Sequence, residues 1–197
     1  MKFRECIFTQ VVVLLMLSVY SAVVLAKSEK AAVFTDEIPN YIDYSNTLSS
    51  SGQPLAKHIS QLAEMGFDQV IYLALTTNST AIKKEDELVL KNGMDYVHVA
   101  VDYSKPSLRN FETVASLLNN SEGLKSLVHC QVNYRASTFS FLYRVIYLDV
   151  PIGDAKKDLD RVWGPDSVWY QFIVDTLAAH GMSHECDSCD WQEREFD

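Results

Sequence analysis

Basic residues are scarce in this chain: 17 lysines and arginines stand against 26 aspartates and glutamates, a formal charge of −9. A surface of that sign repels phosphate backbones, which argues against nucleic acid as the general partner. A second long hydrophobic run is also missing. Apolar residues crowd the first 26 positions and gather at that length nowhere else, so nothing further along predicts a membrane span. Cysteine is sparse, with four in 197 residues, and there is no internal repeat and no low-complexity segment of consequence.

What is there begins with a leader. Lys2 and Arg4 form a basic start, "CIFTQVVVLLMLSVYSAVV" an apolar core, and "VLA" before Lys27 a small-residue cleavage site. This is the pattern of an export signal over residues 1–26. The alternative is a retained anchor, since about 20 apolar residues can cross a bilayer. Removal of the leader predicts a periplasmic or secreted protein with no membrane span left. It takes away Lys2, Arg4 and Glu5, which moves the charge from −9 to −10. It also takes away 26 of the 197 residues, leaving 171, enough for one domain with a real core. Cys6 departs with the leader, and Cys130, Cys186 and Cys189 remain in a compartment that favours disulfides. Cys186 and Cys189 are close enough to pair, which leaves Cys130 as the odd thiol.

After a polar lead to about Asn46, "TLSSSGQP" supplies a turn at Gly52 and a helix-starting Pro54. Leu55, Ile59, Leu62 and Ala63 recur at helical spacing up to a stop at Gly66. "QVIYLAL" then reads as a strand buried on both faces. The alternation continues through the charged helix "KKEDELVLKNG", the strand "DYVHVAV", the amphipathic helix "SLRNFETVASLLNN" and the short strand "SLVH". Such alternation predicts an α/β fold, a mostly parallel central sheet flanked by helices. "RASTFSFLYRVIYLDV", Arg135 to Val150, is apolar nearly all round and predicts the most deeply buried helix. "DAKKDLDRVW" and "DSVWYQFIVDTLAAHG" predict two helices more, and residues 181–197 a polar, mobile tail carrying a CxxC.

In a parallel sheet, ligands gather where strands end and the next helices begin, and Cys130 falls at that edge. Between Cys130 and Arg135 the chain turns from strand to helix, and successive N–H groups of such a turn can form an anion-binding nest. Arg135 adds a planar fork suited to two oxygens of a phosphate or sulfate. The same field favours a thiolate at Cys130, a strong nucleophile. Against this stands a plainer reading: Cys130 and His129 end a buried strand, and Arg135 pairs with a surface carboxylate. His58 and His98 read as satisfied or exposed side chains. Trp163, Trp169 and Tyr170 read as core or pocket rim.

The loop "VHCQVNYRAS" resembles the signature of cysteine-based protein tyrosine phosphatases, the compact dual-specificity type above all. "SSSGQP", "GFDQVIYL", "GMDYVHVAVDYSKPS" and "VWGPDSVW" resemble a bacterial branch of that family, so the likeness runs from about Tyr41 to Leu177. It implies a phosphatase-like domain over residues 27–180, needing no cofactor or metal and acting on a phosphorylated or sulfated small molecule or protein. By resemblance, Cys130 is the nucleophile that forms a cysteinyl-phosphate and Arg135 holds the phosphoryl oxygens. His129 supports the loop, and Ser137 helps stabilise the leaving thiolate. Asp102 is the general acid, or else an ordinary carboxylate capping the helix that follows. The anion-binding loop is then Gln131, Val132, Asn133 and Tyr134. That is four residues between Cys and Arg where the phosphatase signature has five. Asn133 stands where the family has glycine, and Asn tolerates a positive φ. Tyr134 either projects into the pocket mouth or packs beneath the helix. Four-residue spacing also resembles rhodanese-type sulfurtransferases, and a catalytically inactive anion-binding pocket is the third reading. In the tail, Cys186 and Cys189 predict a local disulfide, with a zinc site through His184 as the weaker alternative. "NST" at Asn78 and "NNS" at Asn119 match the glycosylation acceptor pattern.

Overall fold

The computed structural model describes residues 35–187 and 189–192. The predicted leader, residues 1–26, lies outside them. The unit from Ile38 onward carries the fold. Its five strands are β1 (Ile42–Asp43), β2 (Leu48–Ser51), β3 (Gln69–Tyr72), β4 (Asp95–His98) and β5 (Ser126–His129). Six helices accompany them: α1 (Ala56–Glu64), α2 (Glu85–Lys91), α3 (Leu108–Asn120), α4 (Tyr134–Tyr147), α5 (Ile152–Asp160) and α6 (Ser167–Ala179). The sheet order is β1-β2-β5-β3-β4, with only the β1 and β2 pair antiparallel. This is the mostly parallel α/β architecture expected from the alternation. It places the ends of β2, β3, β4 and β5 on one edge, with β5 in the middle.

β3 and β5 are buried along their whole length, as strands covered on both faces must be. β2 is equally buried, yet it reads Leu-Ser-Ser-Ser. Its hydroxyls are tolerated there because each has a partner: Ser49 Oγ donates to Asp43 at 2.5 Å, Ser50 Oγ lies 2.7 Å from the Tyr44 hydroxyl, and Ser51 Oγ donates to the Gly52 carbonyl at 2.8 Å. The sequence reading missed this strand because a serine run carries no strand signal, and missed β1 because two residues show no period.

α4 is buried from Arg135 to Val145, matching the expectation for the most apolar stretch. Two of its inner polar groups are met locally or by an ion: Thr138 Oγ1 donates to the Tyr134 carbonyl at 2.9 Å, and Arg144 meets Asp158 at 2.9 Å. α6 starts at Asp166, whose carboxylate accepts from the Val168 and Trp169 N–H groups at 2.9 Å each, an N-cap of about 1 kcal/mol.

The segment after Gly181, expected to be a polar, mobile tail, is mostly exposed along its described residues but touches the domain through Trp191. Trp191 lies edge-on to Phe141 and tilted against Tyr170, and the buried Lys156 ammonium sits 4.6 Å over its ring while donating to the Asp190 carbonyl. The apolar Trp191 ring supplies the burial that polarity alone conceals in the sequence. Cys186 and Cys189 form the expected disulfide. His184 bonds the Tyr170 hydroxyl at 3.0 Å, and no cluster of three or more metal-ligating residues occurs among the described residues.

Candidate active site

Cys130 follows β5 directly, is fully buried and is a free thiol. The backbone then turns through Gln131 and Val132 to Asn133, which takes φ 73° and ψ −3° and caps the start of α4. A left-handed cap is unfavourable for most side chains and tolerable for asparagine. Asn133 also donates from Nδ2 to the Asn40 carbonyl at 2.5 Å, while Asn40 Nδ2 donates to the Val132 carbonyl at 3.0 Å. These reciprocal bonds tie the Cys loop to the segment before β1.

The other side of the loop rests on the turn after β2. Gln53 N–H donates to the Gln131 carbonyl at 3.0 Å, and Gly52 bridges Val132. A Cβ at Gly52 would lie 2.8 Å from the Pro39 Cβ and 3.0 Å from the Gln131 carbonyl. Glycine is therefore required here for close approach of three backbone segments. Asn78 Nδ2 reaches Gln131 Oε1 at 2.6 Å from the loop after β3.

Arg135 opens the first turn of α4 with its side chain buried. Its Nε donates to the Val101 carbonyl at 3.1 Å, and the guanidinium lies 5.1 Å over the Tyr103 ring. That commits one of its five N–H donors and leaves four on the terminal nitrogens. Among the described residues no carboxylate pairs with it, contrary to the plainer reading of the sequence. Tyr103 is itself held: its hydroxyl donates to Asp166 at 3.0 Å and its carbonyl accepts from Trp169 Nε1 at 2.9 Å. Tyr134 stacks flat on Trp163, 4.3 Å between centroids and 3° between planes. That settles its place against an aromatic wall formed by Trp163, Trp169 and Tyr103.

Asp102 follows β4 on the same edge and is fully exposed. Its Oδ1 accepts from the Ser104 hydroxyl at 2.8 Å and the Ser104 N–H at 2.9 Å. These two bonds hold its carboxyl below the usual range, with a smaller pull from Arg135. Ser137 is buried, but its hydroxyl donates to the Tyr134 carbonyl at 3.2 Å within its own helix.

Behind the cysteine, His129 meets a buried carboxylate, Glu85, that sequence reasoning missed. His129 is fully buried, and its Nε2 lies 3.6 Å from Glu85 Oε1. Burial pushes His129 down to about 3, so it is neutral. Glu85 is 4% exposed and accepts from Gln53 Nε2 at 2.8 Å. Burial pushes it up to about 7. Tyr72 stacks between His129 and His98. The only signal available was a glutamate three positions after Ile82 in a charged helix, which reads as solvated surface.

Similarity to solved structures decides the fold. A DUF442 protein of Shewanella putrefaciens CN-32, whose assignment as a phosphatase is provisional, superposes with a TM-score of 0.68 at 28% identity, covering 75% of this chain and 97% of that one. The chain has the fold of the dual-specificity and tyrosine phosphatases. Two further phosphatase-like structures agree on it. Tk-PTP matches with a TM-score of 0.58 at 19% identity, over 72% of this chain and 96% of that one. PTPMT1, solved in complex with PI(5)P, matches with a TM-score of 0.61 at 14% identity, over 72% and 96%. No protein-family model and no curated protein matches the chain. Within this phosphatase-like fold, Cys130, Arg135 and Asp102 stand on one sheet edge. No helix of the described residues is long and apolar enough to cross a membrane.

Proposed function

We propose that the chain is an exported, cysteine-dependent phosphatase that hydrolyses a phosphomonoester through a cysteinyl-phosphate. One observation carries the reading: a free Cys130 and a buried Arg135 flank a turn at the end of the central strand of a phosphatase-like fold. The Cys130 thiolate attacks phosphorus, forming an S–P bond as the P–O bond to the leaving group breaks. Asp102 gives its proton to that oxygen. Water then attacks phosphorus and yields a proton to Asp102, the S–P bond breaks, and phosphate leaves with the thiolate restored. The Arg135 terminal nitrogens hold the equatorial oxygens through both steps.

The short loop favours a second reading. With four residues between Cys130 and Arg135 and Arg135 Nε already bound to Val101, the pocket would bind an anion without turning it over, or cradle a sulfur atom for transfer.

The test is hydrolysis of an aryl phosphate by the chain from Lys27, at pH 5 to 7 with mild reductant. Cys130→Ser is expected to lower turnover at least about 1000-fold and Arg135→Ala about 100-fold or more. Absence of turnover in the unaltered chain sinks the hydrolytic reading for aryl esters. Thermal stabilisation by phosphate that survives Cys130→Ser and fails in Arg135→Ala would then establish the binding module.

A further inference from the structure

Arg135 is held from outside the Cys loop. Its Nε donates to the Val101 carbonyl at 3.1 Å, and its guanidinium lies 5.1 Å over the ring of Tyr103. Val101 and Tyr103 stand on either side of Asp102, so the arginine meets the segment that carries the acid at two points.

Tyr103 is fixed in turn by the start of α6. Its hydroxyl donates to Asp166 Oδ2 at 3.0 Å, and its carbonyl accepts from Trp169 Nε1 at 2.9 Å. Asp166 Oδ1 caps the helix through the Val168 and Trp169 N–H groups, so one carboxylate secures both the helix start and the tyrosine. The ring also packs against the buried Trp163 and Trp169, at 6.3 and 5.7 Å between centroids. A half-buried tyrosine with its ring, hydroxyl and carbonyl all engaged has little freedom to swing, and a cation resting on its face is oriented with it.

We propose that Tyr103, anchored by Asp166, is a positioning residue that aims Arg135 at the bound anion. Four residues between Cys130 and Arg135 leave one main-chain N–H fewer than the five of the phosphatase signature. More of the grip on an anion then falls on Arg135, and its orientation counts for more. With Nε committed to Val101 and the guanidinium resting on the ring, the terminal N–H groups present a fixed fork for two oxygens. This rests on Arg135 holding the phosphoryl oxygens of the proposed site, and it assigns the aim of that group to a residue outside the loop.

Inorganic phosphate is the probe, its dissociation constant measured by calorimetry on the protein of the hydrolysis assay. Tyr103→Leu, which removes the ring, is expected to weaken phosphate about 5- to 10-fold, and Tyr103→Phe, which keeps the ring and gives up Asp166, about 2- to 3-fold. On an Arg135→Lys background no planar fork is left to aim, so Tyr103→Leu should weaken phosphate there by less than about 2-fold. The Arg135 Nε–H supplies a readout that general loosening of the fold does not reproduce. Followed by NMR, its exchange with water should quicken in Tyr103→Leu while the main-chain amides of β5 keep theirs. Unchanged phosphate affinity in Tyr103→Leu, an equal fold loss on the Arg135→Lys background, or β5 amides that loosen in step with the Nε–H would each overturn the proposal. None of these readouts involves turnover, so a protein that binds phosphate in this way and leaves aryl phosphate intact would sink the hydrolytic reading alone.

Discussion

At the scale of single residues, the proposed reaction asks opposite things of its two acids. Cys130 must lose its proton to attack, and Asp102 must keep one to protonate the leaving oxygen. Two hydrogen bonds from Ser104 work against the second requirement, because they stabilise the ionised carboxylate. A lowered carboxyl is protonated only toward low pH, so the acid-catalysed step weakens as pH rises through that low range. Ser104→Ala removes the hydroxyl donor and leaves the main-chain one. Its expected effect is a small shift of the descending limb of kcat to higher pH, with Asp102→Asn abolishing the limb altogether. A pH-rate profile on an aryl phosphate checks both, and an unchanged limb in both variants would remove Asp102 from the reaction.

At the scale of elements, the Cys loop has the shape it does because three segments converge on it: the stretch before β1, the turn after β2 and the loop after β3. Gly52 stands where they meet. Gly52→Ala would force a Cβ to within 3.0 Å or less of Pro39 and Gln131, and backbone atoms cannot yield as a flexible side chain does. We expect a loss of about 1 to 3 kcal/mol of stability and a larger fractional loss of turnover than in Asn133→Gly, which keeps the left-handed cap and gives up only the bond to Asn40. Chemical denaturation beside kinetics separates the two. Most of these elements were legible in the sequence, since β3, β5 and α1 to α6 each carry a period or an apolar run. The position of Cys130 between a strand and a helix was legible for the same reason. What was hidden is whatever depends on side chains meeting across the chain. β2 is polar and buried by virtue of hydroxyl partners, Gln53 and Asn78 reach the loop from 78 and 53 residues upstream of Gln131, and Glu85 looks like one more solvated acid. The contacts of the polar tail were hidden for the same reason, because Trp191 meets Phe141, Tyr170 and the buried Lys156 across the chain.

At the scale of the whole molecule, Glu85 and His129 couple the fold to pH in opposing senses. Glu85 is raised to about 7 in the folded protein from 4.5. The folded state therefore holds a proton that the unfolded chain releases, and this stability, complete below pH 4.5, is lost as pH rises to 7. His129 is lowered to about 3 from 6.5. Its contribution is complete above pH 6.5 and is lost on acidification toward 3. Between pH 4.5 and 6.5 the two slopes oppose, so the intact protein should show a nearly flat melting temperature there from this pair. Glu85→Gln removes one slope. The variant should then gain stability steadily across that window, by an amount on the order of 2 kcal/mol, and should be the more stable protein above pH 7, where the unaltered chain must hold a buried carboxylate. Calorimetric melting at half-unit intervals from pH 4 to 8 measures this directly. Parallel curves for the two proteins would mean that the Glu85 carboxyl takes up its proton alike in the folded and unfolded chain, and that burial does not raise it.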